Sequence, residues 1–231
     1  MLLRNIIAYS GTSLVVQVAQ LVQGFVIRRL LHPDLLGAWN YVGVTLSFIG
    51  TFDVGITSGA ARELPLLRGA ARRAEEELVR STAFWARLGQ AAILAIGIVL
   101  YAWWGGTRSA HAGLIAWSAA VLLLLSAASE SLTTFYQSSE RYVALGRASM
   151  IGSLATAACL PLGVVLGGLV GLMCAAILAA ILQFLLLIWL AGREGLQVRT
   201  AFSPSWLRQL VRFGLPMRLV DYPLAIFSIL D

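Results

Sequence analysis

Glu130, Asp221 and Asp231 are carboxylates in or beside long apolar runs. An ionised group is expensive there, and a carboxylate that moves between wet and dry surroundings can exchange a proton. All three are therefore candidates for charge coupling. Arg218 stands three residues before Asp221, a spacing at which the two can pair on one helix face, with Pro216 and Pro223 favouring a bent or broken helix around them. Helical periodicity sets Ser10, Ser13, Gln17, Gln20 and Gly24 on one narrow face. It repeats the pattern with Asn40, Gly43, Ser47, Gly50 and Thr51, and again with Ser126, Glu130, Thr133, Thr134 and Gln137. Two readings stay open for these stripes. They are close-packed seams between membrane helices, or they line one aqueous vestibule with amides and hydroxyls, which the bulk of Gln17 and Gln20 favours.

Other polar residues carry less. Arg87 and Asp53 lie about one turn and a half from the ends of their apolar spans and are expected to snorkel to the interface. Cys159 and Cys174 have no His or Cys at metal-ligand spacing and read as small hydrophobes, so no metal or cofactor is expected. His32 and His111 are isolated, and neither a Gly-rich phosphate loop nor a Ser, His and acid cluster is visible, which argues against an enzyme.

The elements that must hold these residues are membrane helices. Apolar residues make up 59% of the 231 and charged residues 12%, about half the charge of an ordinary soluble domain. A bilayer core of roughly 30 Å asks for about 20 apolar residues per helix. Runs of that length give complete spans at Ile6 to Ile27, Leu36 to Ser58, Thr82 to Trp104, Ala112 to Tyr136, Ala148 to Leu166 and Leu169 to Ala191, with a seventh beginning near Leu215. The fold expected is all-α and integral to the membrane, a multi-pass bundle of six complete transmembrane helices plus the start of a seventh. The fifth and sixth spans are separated only by Gly167 and Gly168, which allow the tight reversal of a helical hairpin.

Organisation follows as residues 1–191 for the six-helix lobe, 192–213 for a cytoplasmic connector and 214–231 for the truncated start of a second lobe. The apolar run to Asp231 is too short to finish a span, so a further lobe is expected beyond it. In the connector, Phe202, Trp206, Leu207, Leu210, Val211 and Phe213 alternate with Arg208 and Arg212, as in a helix lying on the cytoplasmic leaflet. Between the second and third spans, Arg72 with Glu76, Arg73 with Glu77 and Glu76 with Arg80 suit a short surface helix laced with exposed ion pairs of small worth.

All 17 basic residues are arginine. Their distribution points to topogenesis and lipid headgroups rather than nucleic acid. Arg4, the group from Arg62 to Arg80, Arg141, Arg147, Arg193, Arg199, Arg208 and Arg212 fall on one side, against Arg28, Arg29 and Arg108 on the other. That bias sets the N-terminus inside.

Four stretches resemble a known family. They are Arg29-Leu30-Leu31-His32-Pro33-Asp34-Leu35-Leu36-Gly37-Ala38-Trp39, Phe52-Asp53-Val54-Gly55-Ile56 with Ala60-Ala61-Arg62, Phe135-Tyr136-Gln137 through Arg141-Tyr142 and Leu145, and Leu210-Val211-Arg212-Phe213-Gly214-Leu215-Pro216. Their order and spacing are similar to those of the bacterial lipid-linked oligosaccharide flippases, within the multidrug/oligosaccharidyl-lipid/polysaccharide exporter superfamily. The resemblance implies the N-terminal lobe of a two-lobe transporter in the bacterial inner membrane. It implies alternating access that carries an undecaprenyl-diphosphate-linked oligosaccharide for O-antigen, capsule or exopolysaccharide biosynthesis.

On that reading Gln17, Gln20, Asn40, Ser47 and Thr51 line the glycan path, and Arg218 contacts the diphosphate or holds Asp221. Glu130, Asp221 and Asp231 serve coupling. Membrane lipids, the missing C-terminal lobe, and polysaccharide polymerase and chain-length machinery are the partners it suggests. The family's cavities tend to be cationic, whereas this half offers mostly amides and hydroxyls. A multidrug-type cation-coupled exporter of the same superfamily and a non-transport membrane scaffold of a glycan-assembly complex are the alternatives.

Overall fold

A lipid-facing backbone must satisfy its own polar groups, and the structure answers with helix. The computed structural model describes residues 2–51, 53–106, 112–193, 195, 196 and 198–230, with backbone alone for residues 2–10, 12, 13, 48–51 and 220–230. Among the described residues there is no strand. The elements are α1 (Leu2–Leu30), α2 (Pro33–Thr51), α3 (Ile56–Gly69), α4 (Arg73–Tyr101), α5 (Ala112–Ser138), α6 (Tyr142–Arg193) and α7 (Pro204–Leu230). By length and apolarity, Arg73–Gly105, Ala112–Ser138 and Tyr142–Arg193 qualify as membrane-crossing helices among the described residues.

The long run of α6 is two arms folded back on each other. Gly167 and Gly168 leave helical geometry. A Cβ built on Gly163 would stand 2.5 Å from the Gly171 carbonyl oxygen, so the arms touch backbone to backbone immediately beside the reversal. The expected hairpin is present. Pro33, the first residue of α2, needs no amide partner there and has its φ pre-set for helix.

The second apolar span ends earlier than Ser58. Helix α2 stops at Thr51, Gly55 takes a left-handed φ of 85°, and α3 starts at Ile56. The Asp53 carboxylate causes the restart, accepting the amides of Ile56 at 3.0 Å and Thr57 at 3.2 Å as a cap. The segment after the second span is accordingly α3, and the acidic-basic stretch forms the first turns of a continuous α4.

The ion pairs on Glu76 are not exposed, whereas Arg72 pairs with Glu75 instead and at the surface. Glu76 pairs with Arg80 at 2.7 Å and also with Arg68. Arg80 is 4% exposed and Glu76 7%. Arg68 goes on to donate to the Ser138 carbonyl and to Ser139, pinning the α3–α4 corner to the end of α5. Removing one partner of a buried pair leaves an uncompensated charge. Glu76→Ala is therefore expected to cost about 3 kcal/mol, read as earlier unfolding in detergent on a denaturant series. Glu77→Ala loses only an exposed pair with Arg199 and should cost less than about 1 kcal/mol.

The connector does not lie on a leaflet by its apolar side. Leu210 is fully buried, and Trp206, Leu207 and Val211 pack against the core formed by α3, α4, α5 and α6, so this part of the apolar stripe faces the protein, while Phe202 is exposed. The preceding strap is stapled to α4. Trp85 Nε1 donates to the Arg199 carbonyl at 2.9 Å, the Arg199 amide to Ser81 Oγ at 3.0 Å, and the Ser203 amide to Thr82 Oγ1 at 3.1 Å. From Pro204, α7 runs without interruption through Pro216 to Leu230. Elsewhere α1 packs along α6, and α5 along both α4 and α6.

Candidate functional site

Five helices converge on a polar cleft of about 720 Å³. Helix α2 gives Ser47, α3 gives Thr57, α5 gives Ser126, Ser129, Glu130, Thr133 and Thr134, α6 gives Gln183, and α7 gives Arg218. The α5 members repeat at three and four residues, which keeps them on one face. The stripes foreseen on the second and fourth spans thus meet, at Ser47 and at Ser126 to Thr134.

Two ion pairs reach this cleft, each with one buried and one accessible member. Arg87 Nη2 lies 3.1 Å from Glu130 Oε2; the arginine side chain is 3% exposed and the glutamate 52%. Arg87 also donates to Gln90 Oε1 at 3.3 Å. Arg218 Nη2 lies 3.4 Å from Asp53 Oδ2, with side chains 31% and 0% exposed. Arg87 and Asp53 therefore do not snorkel. A buried charge persists when it is paired and hydrogen-bonded, and each has found a partner on another helix.

Two of the hydroxyls have a definite polarity. Ser126 Oγ donates to the Leu123 carbonyl at 2.9 Å and Thr134 Oγ1 to the Glu130 carbonyl at 3.0 Å. With its proton spent on its own helix, a hydroxyl presents lone pairs to a ligand. Beside the Glu130 carboxylate, these two favour a ligand rich in hydrogen-bond donors, while Arg218 supplies donors to the same cleft.

The remaining predicted residues lie apart or outside view. Gln17 and Gln20 are exposed on α1 and line a separate groove with Leu21, Gly24, Phe25 and Arg28. Asn40 is exposed on α2 and does not line the cleft. The side chains of Thr51 and Asp221, and Asp231 altogether, lie outside the described residues. The Arg218–Asp221 pairing falls there too, but Arg218 holds Asp53.

Gln183 was not foreseen. Its Oε1 is buried and accepts no hydrogen bond among the described residues. A Cβ on Gly152 would stand 1.3 Å from that oxygen, so the glycine makes room for the amide between the α6 arms. A lone amide in the apolar run Ala175 to Leu187 was the available signal.

Two of the sequence stretches singled out above join the helices that carry Thr57 and Arg218. A Cβ on Gly55 would stand 2.2 Å from Gly214 C, one on Gly214 1.7 Å from Gly55 O, and one on Gly59 2.4 Å from Leu210 O. Helices α3 and α7 thus meet backbone to backbone, with the Arg62 guanidinium 4.4 Å over the Phe213 ring beside them.

Two solved structures share this fold. One is described as the outward-facing conformation of a multidrug resistance MATE family transporter of the MOP superfamily; the TM-score is 0.73 at 17% identity, over 96% of this chain and 53% of that one. The other is a MOP superfamily transporter from Pyrococcus furiosus Vc1, for which reverse polarity of the binding pocket suggests a different function. Its TM-score is 0.71 at 18% identity, over 97% of this chain and 53% of that one. The chain spans about half the length of these transporters and has the fold of half of one. No curated protein matches it. A family model described as polysaccharide biosynthesis protein matches residues 26–228. With nearly the whole chain inside that match and apolar helices arranged as in membrane transporters, the chain belongs to the polysaccharide biosynthesis protein family.

Proposed function

We propose that this chain is the N-terminal lobe of a flippase that carries an undecaprenyl-diphosphate-linked oligosaccharide across the bacterial inner membrane by alternating access. The observation that carries the reading is the cleft wall of hydroxyls and an amide between Glu130 and Arg218, in a member of the polysaccharide biosynthesis family. Sugars offer many hydroxyl donors, and a diphosphate is an anion suited to a guanidinium. In this assignment α1, α2, α4, α5 and the two α6 arms are the six spans. The arginines near α3, the α5–α6 turn and the strap support a cytoplasmic side for those ends and for the N-terminus.

Ser47 and Arg218 bind substrate at the cleft, and Glu130 couples charge through its pair with Arg87. Gln17, Gln20, Asn40 and Thr51 extend the glycan path, and Asp221 and Asp231 are further coupling positions. The cytoplasmic membrane provides the lipid partners, and polymerase and chain-length machinery receive the product.

Deleting the gene should abolish surface polysaccharide and accumulate lipid-linked oligosaccharide on the cytoplasmic face. The full-length protein should restore both, and Glu130→Gln should transport about tenfold more slowly, one lost charge-assisted contact. Unchanged polysaccharide in the deletion strain, or restored drug efflux in its place, would overturn the reading.

A further inference from the structure

The polar cleft presents both signs of charge to a ligand. Among the described residues its lining has two charged side chains, Glu130 and Arg218. Each is the more accessible member of its pair. Their partners Arg87 and Asp53 have side chains 3% and 0% exposed and do not line the cleft. Glu130 is only half engaged, because Oε2 takes Arg87 Nη2 at 3.1 Å while Oε1 accepts no hydrogen bond among the described residues. Ser126 and Thr134, four residues to either side of it, have spent their protons on their own helix and add lone pairs.

A diphosphate on a neutral glycan brings only negative charge to this cleft. Arg218 attracts it, and Glu130 repels it. A proton on Glu130 relieves the repulsion but leaves the buried Arg87 charge without its anion. A cation on the ligand relieves it at no such cost, since Oε1 can take the cation while Oε2 keeps Arg87. We infer that the carried head holds both charges, with a protonated amino group on the glycan against Glu130 and the diphosphate against Arg218. An unacetylated amino sugar has this chemistry. The inference rests on the flippase reading and names the charge class of its substrate.

The test compares two polyprenyl diphosphate-linked sugars that differ in one group, glucosamine and N-acetylglucosamine. Binding is measured to the full-length protein in nanodiscs at about pH 6, where a carboxylate is ionised and an amine protonated. The amine should bind about tenfold more tightly, as one charge-assisted contact allows. Glu130→Gln should remove this preference. Because that change strands the Arg87 charge, Glu130→Gln is also combined with Arg87→Met, which removes both charges together and should give the same result. Arg87→Met alone keeps the carboxylate and removes its buried competitor, so it should hold or widen the preference. A merely structural role for the pair would instead weaken both sugars alike. Arg218→Met should weaken both sugars equally, since both carry the diphosphate.

Equal affinity of the two sugars, tighter binding of the acetylated one or no measurable binding of the amine would overturn the inference. So would a preference that survives in the double variant or is lost in Arg87→Met, or binding that Arg218→Met leaves unchanged. Translocation of the strain's own lipid-linked oligosaccharide, measured in parallel, separates the two ideas. Intact transport without an amine preference leaves the flippase reading standing and removes only the charge class, whereas absent transport removes the flippase reading itself.

Discussion

Gly214→Ala is expected to unseat α7 from α3. Two effects oppose each other. Within a helix, alanine gains about 1 kcal/mol over glycine, and Gly214 lies inside α7. Against that, the new methyl would stand 1.7 Å from the Gly55 carbonyl oxygen and 2.7 Å from the Gly59 amide nitrogen. Both obstacles are backbone, which cannot rotate aside as a side chain does. Separating the helices would also open the contact that fully buries Leu210, forfeiting roughly 2 kcal/mol of transfer free energy with a cavity term beyond it. The steric side wins, and a net loss above about 4 kcal/mol is expected.

Leu210→Cys in a background lacking Cys159 and Cys174 reports the docking. The thiol should resist a water-soluble maleimide when Gly214 is present and react when alanine replaces it. Gly192→Ala, whose Cβ meets nothing within 4 Å, should leave it protected. Protection that survives Gly214→Ala would mean that α3 and α7 can separate without exposing Leu210.

How this seam relates to the sequence shows what periodicity can and cannot carry. The helical hairpin was legible because two adjacent glycines interrupt a run too long for one span, a local fact. The faces of α2 and α5 were legible because three- and four-residue spacing survives into any straight helix. The break at Asp53 was not read, although the acid and glycine were seen, because apolar residues continue on both sides and composition does not register a cap. Arg87 and Asp53 looked like interfacial anchors because depth was judged along one helix at a time. Their partners Glu130 and Arg218 lie on other helices, and only packing brings them within 3.1 and 3.4 Å. The same limit made the pairs around Glu76 look exposed, since spacing gives contact but not burial. Gln17 and Gln20 show the converse: a polar face predicted from period alone occupies a groove of its own.

Asp53 does two jobs at once, and single substitutions should separate them. Its carboxylate accepts two amides at the start of α3 and faces Arg218 of α7. Losing an amide cap costs about 1 kcal/mol. Losing the partner of a buried charge costs about 3–5 kcal/mol, but the Arg218 side chain is 31% exposed, so water recovers part of this and the screened share is nearer 1–2 kcal/mol. Asp53→Ala should therefore destabilise by about 2–3 kcal/mol.

Asp53→Asn keeps one oxygen, for only one of the two amides, and should lose the charge part together with one amide bond. Arg218→Met leaves the carboxylate its two amide donors but removes the counter-charge of a fully buried group, so it should cost at least as much as the charge part of Asp53→Ala. The charge exchange Asp53→Arg with Arg218→Asp decides between the roles. If the ion pair were the whole contribution, the exchanged protein would recover parent stability. Because an arginine has no acceptor for the Ile56 and Thr57 amides, it should instead remain at least as unstable as Asp53→Ala, measured by denaturant unfolding of the full-length protein in detergent. Recovery to the parent midpoint would show that α3 begins without its cap and that the interhelical charge alone holds this corner.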